Sequence, residues 1–497
     1  MPSPKAQVPL GVLDHFLPPH YLPMSWYLPL KEDVSAEEAF AALEAGLRQT
    51  FKQVPWLSGK IYKQRPTTQG WRPGQLEIRY DQAILADDGA PVPHFRAKIL
   101  PLTDDSMSYE DIRESGYPMD AIADEDILWG EFLTVPEEDE GAECFRAQAN
   151  FIPGAIILCG ACHHNACDGI AAFDVWRLWA ANCDALQSNT APGVPDPLSS
   201  DRSLVERIWA EESNGSMVNK SDANLTAYSL LDMKPPNSPE EALSAPARPS
   251  QPFPKEPMQS AVFYISSENF SALHKRCVDE AGAATHISGN DSMTALIWRS
   301  ALKARHAAAI AAGRASESED AEAHLQLTLD GRPDISAKGT MPFVYMGNLV
   351  FWNRCAMPLS KLTAPETSIA KVALFIRTVA EAATAQTMLD AYGLARRLEN
   401  LGRLQLTIPS PLDYDLILSS LITLRTDDIK WGGRVFAKGG KPDALRPLFD
   451  AINTAGRLCF PMPRKAGGGV EIVLNLYQDE LDLLLEDDEF GEYAVYM

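Results

Sequence analysis

Basic residues are scarce in this sequence of 497 residues, where 44 lysines and arginines stand against 67 aspartates and glutamates. The formal net charge is −23. Nucleic acids and anionic membranes attract proteins through basic surfaces, so this deficit argues against both as the main partner. An anionic small molecule is still compatible with the sequence, but it requires a local cluster of cations.

Long apolar runs and a cysteine framework are also missing. No segment reaches the roughly 18 apolar residues needed to span a bilayer, and residues 1–7 lack the charged and apolar regions of a signal peptide. The eight cysteines are spread too thinly for a disulfide scaffold. The sequence therefore predicts a soluble, reduced, cytoplasmic protein, in which the sequons at Asn214, Asn219 and Asn224 are not glycosylated.

The first part of the chain mixes helical and strand patterns. A capping box at residues 35–38 precedes apolar residues spaced three and four apart, which predicts an amphipathic helix. Residues 145–151 alternate like a half-buried strand, and a Pro-Gly turn at 153–154 follows. Residues 155–162 are almost wholly apolar, as in a strand buried on both faces. This order predicts an α/β fold.

The regular pattern dissolves from residue 187 to residue 258. Eight prolines fall between Pro235 and Pro257, which is too many for a helix or a central strand. A chain of this length is also too long for one hydrophobic core. We therefore predict an N-terminal lobe of residues 1–185, a proline-rich crossover of residues 186–258 and a C-terminal lobe of residues 259–497.

Helix and strand patterns resume in the C-terminal lobe. Residues 262–265 predict a strand, and residues 288–291 have the composition of a helix start. Alternation at 325–329 and again at 470–476 predicts two further strands. The acidic stretch at 479–492 is interpreted as a solvated face.

One segment concentrates the chemically useful side chains, with His163, His164, Asp168 and Gly169 spaced as His-His-x-x-x-Asp-Gly directly after the buried strand. A neutral imidazole held by a rigid strand can take a proton from a hydroxyl near pH 7, which contributes about 10²–10⁴ in rate. Side chains alternate along a strand, so only one of the two histidines is expected to face a substrate. On the residues alone, a structural histidine pair and an N-cap role for Asp168 stay open.

The same region is rich in soft metal ligands, namely Cys159, Cys162, His163, His164 and Cys167. Structural zinc sites usually set two ligand pairs a dozen or more residues apart. Adjacent residues of an extended strand also point away from each other. A zinc protein therefore stays a weaker alternative, and we expect no bound metal.

The His-His-x-x-x-Asp-Gly segment resembles the HHxxxDG signature of the BAHD acyltransferases and of peptide-synthetase condensation domains. The most similar branch is the fungal one that includes the trichothecene O-acetyltransferases. The resemblance covers nearly the whole chain, because further short motifs follow in the family's order. These motifs are Leu13-Asp14, the turn at 54–60, the helix at 288–305, Asp330-Gly331-Arg332 and Gly347-Asn348.

This resemblance implies a fold of two chloramphenicol-acetyltransferase-like lobes, each a mixed sheet flanked by helices, with the active site in a tunnel between them. The implied reaction moves an acyl group, acetyl above all, from acyl-CoA to a hydroxyl of a secondary-metabolite acceptor. Acyl-CoA is then a co-substrate, and no permanently bound cofactor is needed. The partners are the acyl-CoA and a small alcohol or amine, and the enzyme is expected to be a monomer.

The family's roles transfer to this chain residue by residue. His164 becomes the general base, and Asp168 turns away from the substrate to pair with Arg332. Gly169 permits a close backbone approach at the helix start.

Two departures from the family pattern concern the C-terminal lobe. The DFGWG segment appears as Asp428-Ile-Lys-Trp431-Gly432, with Trp431 kept as a supporting residue. Many plant members have Thr/Ser-Ser-Trp where this chain has Ser419-Ser420-Leu421. The missing tryptophan leaves Ser419 as the weaker candidate for stabilising the oxyanion.

Cations are concentrated in one stretch near glycines, at Lys430, Arg434, Lys438, Lys441 and Arg446. The functional interpretation is that Lys438, Lys441 and Arg446 attract the phosphates of coenzyme A. The alternative is a solvated loop.

Other functions stay open at this point. One is an amide-forming or carrier-protein-dependent enzyme of the condensation type, and another is a non-catalytic scaffold. The sequence names neither the acceptor nor the acyl chain.

Overall fold

The computed structural model describes residues 5–81, 83, 89–101, 107–212, 225–233, 256–282, 286–315, 321–335, 341–342, 344–404, 406 and 408–497. The helices in these residues are Ala36–Gln53 (α1), Tyr109–Glu114 (α2), Asp124–Ile127 (α3), Gly169–Gln187 (α4), Leu204–Glu212 (α5), Leu225–Ser229 (α6), Ser267–Ala281 (α7), Gly289–Ala311 (α8), Arg332–Ile335 (α9), Leu359–Thr363 (α10), Ile369–Glu381 (α11), Ala385–Ala395 (α12), Gln478–Leu485 (α13) and Asp488–Gly491 (α14). The strands are Lys5–Pro9 (β1), Tyr21–Pro29 (β2), Lys60–Lys63 (β3), Leu76–Asp81 (β4), Phe95–Ile99 (β5), Ala142–Glu143 (β6), Phe145–Ile152 (β7), Ala155–His163 (β8), Gln259–Ile265 (β9), Glu322–Asp330 (β10), Val350–Pro358 (β11), Asp415–Leu418 (β12), Ala444–Pro447 (β13), Leu458–Pro461 (β14), Val470–Leu476 (β15) and Ala494–Tyr496 (β16).

A five-stranded mixed sheet forms the centre of the N-terminal lobe, in the order β13-β2-β8-β7-β5. The two predicted strands on either side of the turn at 153–154 are β7 and β8, which pair antiparallel. β7 is buried along its whole length rather than half-buried as predicted, because it lies between β8 and β5. α1 and α4 pack against each other, and a core of Trp176, Trp179 and Phe145 fills the space beside the sheet. Because β8 is the central strand, the histidine pair at its end is positioned by the most constrained part of the lobe.

The C-terminal lobe is built on a seven-stranded mixed sheet, in the order β11-β10-β12-β14-β15-β9-β16. β10 pairs antiparallel with β11 and parallel with β12, and α7, α8 and α11 pack against one another. The strands predicted at 262–265, 325–329 and 470–476 are confirmed as parts of β9, β10 and β15. The capping box predicted for the helix after residue 288 is also present, where Ser288 caps α8. The mixed α/β fold is therefore confirmed.

Two features of the sheets were not predicted. A separate antiparallel sheet, β1-β4-β3-β6, accompanies the N-terminal lobe. β13 comes from the predicted C-terminal lobe, yet it pairs with β2 at the edge of the N-terminal sheet. A division of the chain at residue 259 therefore assigns β13 to the wrong sheet, because a strand of four residues carries too short a pattern to show where it pairs.

The predicted crossover contains ordered helices in its described parts. Leu204, Ile208 and Trp209 on α5 are buried and share a core with Tyr392 of α12. The three sequons and seven of the eight clustered prolines lie outside the described residues, which resume at 256 in this part of the chain. The segment around α5 is thus packed structure rather than a plain linker.

The acidic stretch at 479–492 is not simply a solvated face. Glu480 is 0% exposed, and its Oε1 lies 2.7 Å from Nη2 of Arg457. Arg305 Nε is 3.8 Å from the same carboxylate. A buried carboxylate needs such partners because its desolvation is costly, so the interpretation was wrong for Glu480.

Within the described residues, no helix combines the length and the apolar character that crossing a membrane requires.

Candidate active site

His163 ends β8 and uses both of its ring nitrogens inside the protein. Nε2 lies 2.8 Å from the backbone oxygen of Thr134, and Nδ1 accepts the backbone N–H of Asn165 at 3.2 Å. The side chain is 0% exposed, and burial lowers its pKa to about 4. A neutral imidazole with a proton donor on one nitrogen and an acceptor on the other has no lone pair left for a substrate.

His164 follows directly and differs in each of these respects. Its backbone N–H donates to the oxygen of His20 at 2.7 Å, and its backbone oxygen accepts from Asn348 Nδ2 at 2.9 Å. The residue is partly exposed, and its Nδ1 is buried without a hydrogen bond of regular geometry. The Cys167 backbone and the Asn348 side chain act on the ring and partly offset the lowering of its pKa. Burial lowers its pKa to about 4, so the ring is neutral at pH 7 and able to accept a proton.

Asp168 faces away from the histidine ring and pairs with Arg332. Both carboxylate oxygens lie 3.0 Å from Nη2 of the arginine. Asp168 also caps α4 through the N–H of Ala171 at 3.0 Å and accepts the N–H of Leu349 at 2.9 Å. The pair therefore joins the histidine loop of one lobe to the segment after β10 of the other.

The other hydrogen bonds of Arg332 are made to residues of its own lobe. It donates to the backbone oxygens of Tyr345 and Gly347, each at 2.8 Å, and its Nη1 lies 2.7 Å from Asp330. All three guanidinium nitrogens of Arg332 are hydrogen-bonded in a buried setting, so lysine cannot replace Arg332 without loss of this geometry.

A second buried network reaches the backbone of His164. Asn348, whose side chain binds the His164 oxygen, also donates to Asp14 Oδ1 through its backbone N–H at 2.8 Å and its side chain at 3.0 Å. Arg202 pairs with the same carboxylate at 3.2 Å, and its guanidinium stacks over Trp56 at 4.5 Å. Motifs that lie far apart in sequence therefore meet around one loop.

Arg202 was missed by the sequence analysis because it lies in the predicted crossover. It is 7% exposed. Only the short apolar pattern of α5, directly after it, indicated that this part of the crossover is packed.

The turn at 54–60 is connected to the end of β8 through backbone hydrogen bonds. The oxygen of Gly59 accepts the N–H of Cys144, whose own oxygen accepts the N–H of His163, both at 3.0 Å. A Cβ at Gly59 would lie 2.6 Å from the oxygen of Arg79, so only glycine fits there.

Two further predicted site residues, Ser419 and Gly169, lie in different lobes. Ser419 follows β12, and its hydroxyl accepts from Thr328 of β10 at 3.3 Å. Gly169 is the first residue of α4, and a Cβ built there meets no protein atom within 4 Å. Protein packing therefore does not require glycine at 169.

Trp431 lies in the core of the N-terminal lobe. Its ring is 0% exposed and meets Trp179 at 5.1 Å and Trp176 at 6.0 Å between centroids. It supports α4 through packing, without an exposed surface for a substrate.

The structure contradicts the predicted cofactor role of Arg446. This arginine is 2% exposed and binds Glu471 with Nη1 at 2.8 Å and Nη2 at 3.3 Å. Lys438 is half exposed but pairs with Asp443 at 2.6 Å. Lys441 is exposed and forms no ion pair with a described residue. Sequence could not show this difference, because it depends on which carboxylates fold next to each cation.

Two cavities lie beside these residues. The larger, of about 930 Å³, lies along α4 and is lined by more carboxylates than cations, namely Asp174, Asp184, Asp196, Asp427 and Asp428 against Arg177, Lys430 and Lys441. The smaller, of about 200 Å³, is lined by as many carboxylates as cations, namely Asp427, Asp443 and Glu471 against Lys441, Arg464 and Lys465. Arg464 was not predicted as a site residue, since it lies outside the glycine-rich stretch.

The cysteines do not assemble a metal site in the part of the chain that is described. All eight are free and buried, and no group of three histidine, cysteine, aspartate or glutamate side chains there is placed to bind a metal ion.

With this geometry in view, the chain was compared with known proteins. The profile of the Transferase family matches residues 133–490. The chain belongs to this family. The trichothecene 3-O-acetyltransferase-like N-terminal domain matches residues 21–183, and the predicted membership of the BAHD acyltransferases is confirmed.

Similar proteins are fungal. The chain is 29% identical over 98% of its length to the isocyanide synthase-NRPS hybrid crmA of Aspergillus fumigatus, but spans only 31% of that protein. It spans 51% of the enoyl-CoA isomerase/hydratase claC of Penicillium crustosum, at 25% identity. The eremophilane O-acetyltransferase prx11 of Penicillium rubens is 24% identical, with 98% of each chain covered.

Among solved structures, TRI101 of F. graminearum complexed with ethyl coenzyme A has a TM-score of 0.73 at 21% identity, with 99% of this chain and 100% of that chain covered. At this identity the likeness shows the two-lobed fold alone.

Proposed function

We propose that this protein transfers an acyl group from acyl-CoA to a hydroxyl of a small secondary-metabolite acceptor, with His164 as the general base. The observation that carries the proposal is the neutral, partly exposed ring of His164 at the end of β8. The Asp168–Arg332 pair and Asn348 hold its loop from the other lobe. The names of prx11 and of the TRI101 structures, one with deoxynivalenol, support an O-acetyl transfer.

The chemistry follows from the site. Nε2 of His164 takes the acceptor proton while the acceptor oxygen attacks the thioester carbonyl. The tetrahedral oxyanion then collapses, the C–S bond breaks, and the imidazolium returns the proton to the leaving thiolate. No protein nucleophile is involved, so we propose direct transfer rather than a covalent acyl-enzyme. The hydroxyl of Ser419 is our candidate for stabilising the oxyanion.

Charge favours the smaller cavity as the place for the phosphates of coenzyme A. The larger cavity has an excess of carboxylates that repels phosphate. At the smaller one cations and carboxylates are equal in number, but Asp443 is paired with Lys438, and Glu471 with Arg446 and Lys465. Lys441 and Arg464 are therefore left as exposed cations there. Lys438 contributes less because Asp443 already neutralises it.

Reversing Lys441 to Glu is expected to raise the Michaelis constant for acetyl-CoA several-fold and to leave that of the acceptor unchanged. Lys361→Glu makes the same charge change at an exposed residue that lines neither cavity and serves as the matched control. Added salt should weaken wild-type binding, because exposed charges are screened beyond about 8–10 Å. Equal effects in the two variants would show that the phosphates bind elsewhere.

The pH dependence of the reaction follows from the lowered pKa of His164. The neutral ring is the active form, and its pKa is about 4 instead of about 6.5. The acidic limb of kcat/KM is therefore expected near pH 4, and activity should persist at pH 5.5. A limb at pH 6.5 or above would contradict the assignment.

Circular dichroism at each pH is the control for this profile. Burial lowers the pKa values of His20, His163 and His164 in the folded protein. Between about pH 6.5 and pH 4 the unfolded chain thus binds more protons, and folding stability falls as the pH falls.

A second acyl donor is also considered, because the similar protein crmA is an NRPS hybrid. In this alternative the acyl group comes from a carrier-protein thioester. An assay with purified protein distinguishes the two acyl donors. One reaction contains acetyl-CoA and the other an acetyl-loaded carrier protein, and both contain a panel of eremophilane and trichothecene alcohols and simple amines. Mass spectrometry should show an acetylated alcohol with free acetyl-CoA, and product only from the loaded carrier would favour the alternative.

We also propose that the protein acts as a cytoplasmic monomer without a permanently bound cofactor, with lobes of residues 1–185 and 259–497 apart from β13.

A further inference from the structure

A segment without helix or strand, residues 130–135, lies against the end of β8, and we call it the strap. Tyr21 donates its N–H to the oxygen of Phe132 at 3.0 Å, and Thr134 donates its N–H to the oxygen of Pro19 at 3.0 Å. These bonds fix the strap along the start of β2, directly beside the histidine pair.

Buried polar groups fix both ends of the strap. Nη2 of Arg146 donates to the oxygens of Gly130 at 3.1 Å and Glu131 at 2.8 Å. Nε2 of His163 lies 2.8 Å from the oxygen of Thr134. Gly130 has a φ of +87° and a Cβ there would lie 2.3 Å from Arg146 Nη1, so the contact depends on glycine.

The strap contacts His164 indirectly, through the aromatic ring of His20. The ring of His20 lies between Phe132, at 5.1 Å and 33°, and His164, at 4.9 Å and 71°. His20 also accepts the backbone N–H of His164 at 2.7 Å. It therefore touches the proposed base through both its backbone and its ring.

The orientation of the His164 ring needs such a contact. A general base is ordinarily oriented by a group hydrogen-bonded to its second nitrogen. Nδ1 of His164 is buried and makes no hydrogen bond of regular geometry. The Cys167 backbone and the Asn348 side chain act on the ring and partly offset the lowering of its pKa, and packing adds the remaining constraint on the ring plane. His20 packs edge-to-face on that ring, a geometry that aromatic pairs favour.

We propose that His20 is a positioning residue, held by the strap, that fixes the ring plane of His164 by packing. His163 then serves the reaction at a distance, because its Nε2 holds the strap through Thr134. This inference rests on the proposed acyl transfer and adds the residues that orient its base.

The test compares initial rates of wild type, His20→Ala and His20→Phe with acetyl-CoA and an alcohol that the wild type acetylates. His20→Ala is expected to lower kcat about ten-fold or more, since displacements near 1 Å cost up to about 10²-fold. The Michaelis constant for acetyl-CoA should stay within about two-fold, because no phosphate or thioester contact changes. His20→Phe should recover most of kcat, because it restores the ring contact.

His286→Ala, which removes an exposed histidine, is the matched control and should behave like wild type. Wild-type kcat in His20→Ala overturns the proposal, and so does a His20→Phe variant as slow as His20→Ala, which would assign His20 a polar role. If His20→Ala does not fold, Phe132→Ala removes the support of the same ring, and the same fall in kcat with an unchanged Michaelis constant is expected. Absence of wild-type turnover with any donor would instead defeat the proposed function itself.

Discussion

The His164→Ala variant is expected to lose turnover by about 10³-fold or more while it keeps its fold, because general-base catalysis alone contributes about 10²–10⁴. Nδ1 of the ring makes no hydrogen bond of regular geometry, so removal of the ring is expected to cost little stability. The loop itself is held through the backbone of His164, which alanine retains. Initial rates with acetyl-CoA and thermal melting of the same preparation measure both effects.

His163→Ala is the matched comparison at the neighbouring residue. It leaves the buried oxygen of Thr134 and the N–H of Asn165 without their partner, which costs about 1–3 kcal/mol for each unsatisfied group. We therefore expect a lower melting temperature and, because His163 also holds the strap, a fall in kcat that is much smaller than that of His164→Ala. Equal losses of kcat in the two variants, or none in His164→Ala, would rule out the assignment.

Asp168→Ala and Arg332→Ala are each expected to lower stability by about 3–5 kcal/mol, because each leaves a buried charge without its partner. Asp168 is 0% exposed and Arg332 5% exposed. Activity should fall in both variants, since the pair ties the histidine loop to the other lobe. Urea unfolding of the purified variants gives the free energies.

The double variant tests whether the two side chains act as a pair. Its loss should be smaller than the sum of the single losses, because partners in direct contact are coupled. Asp168→Asn is a comparison variant that keeps an oxygen for the N–H of Ala171, removes the charge and replaces the oxygen that accepts the N–H of Leu349 by a donor. Strictly additive losses would contradict the ion pair.

The parts of the fold that the sequence predicted are those with a local signal. The helix capped by Ser35 begins at Ala36, and its cap accepts the N–H of Glu38 at 3.1 Å. β8 was predicted from an unbroken apolar run. Each of these patterns lies within one element, so its period is readable without knowledge of its neighbours.

The catalytic loop was predicted for a different reason. His164, Asp168 and Arg332 were assigned through the family resemblance, and the structure places Asp168 against Arg332. The alternation of side chains along a strand further separated His163 from His164. The structure added the reason, which is that both nitrogens of His163 are occupied.

What the sequence did not predict depends on contacts between distant segments. Arg202 was interpreted as part of a crossover, and Arg446 as a free cation, although each is buried against a carboxylate. His20 showed no pattern at all, because only the strap brings its ring to His164. The function of each of these side chains depends on the residue that packs beside it in the folded protein.

The central claim is that His164 drives direct acyl transfer from acyl-CoA to an acceptor hydroxyl. The most direct measurement is mass spectrometry of both small molecules and intact protein, after wild type and His164→Ala react with isotope-labelled acetyl-CoA and an alcohol from the panel. The account predicts labelled acetyl-alcohol and free coenzyme A in equal amounts from wild type, neither above background from His164→Ala, and no label on the protein. Labelled acyl-enzyme, or undiminished product from His164→Ala, would contradict it.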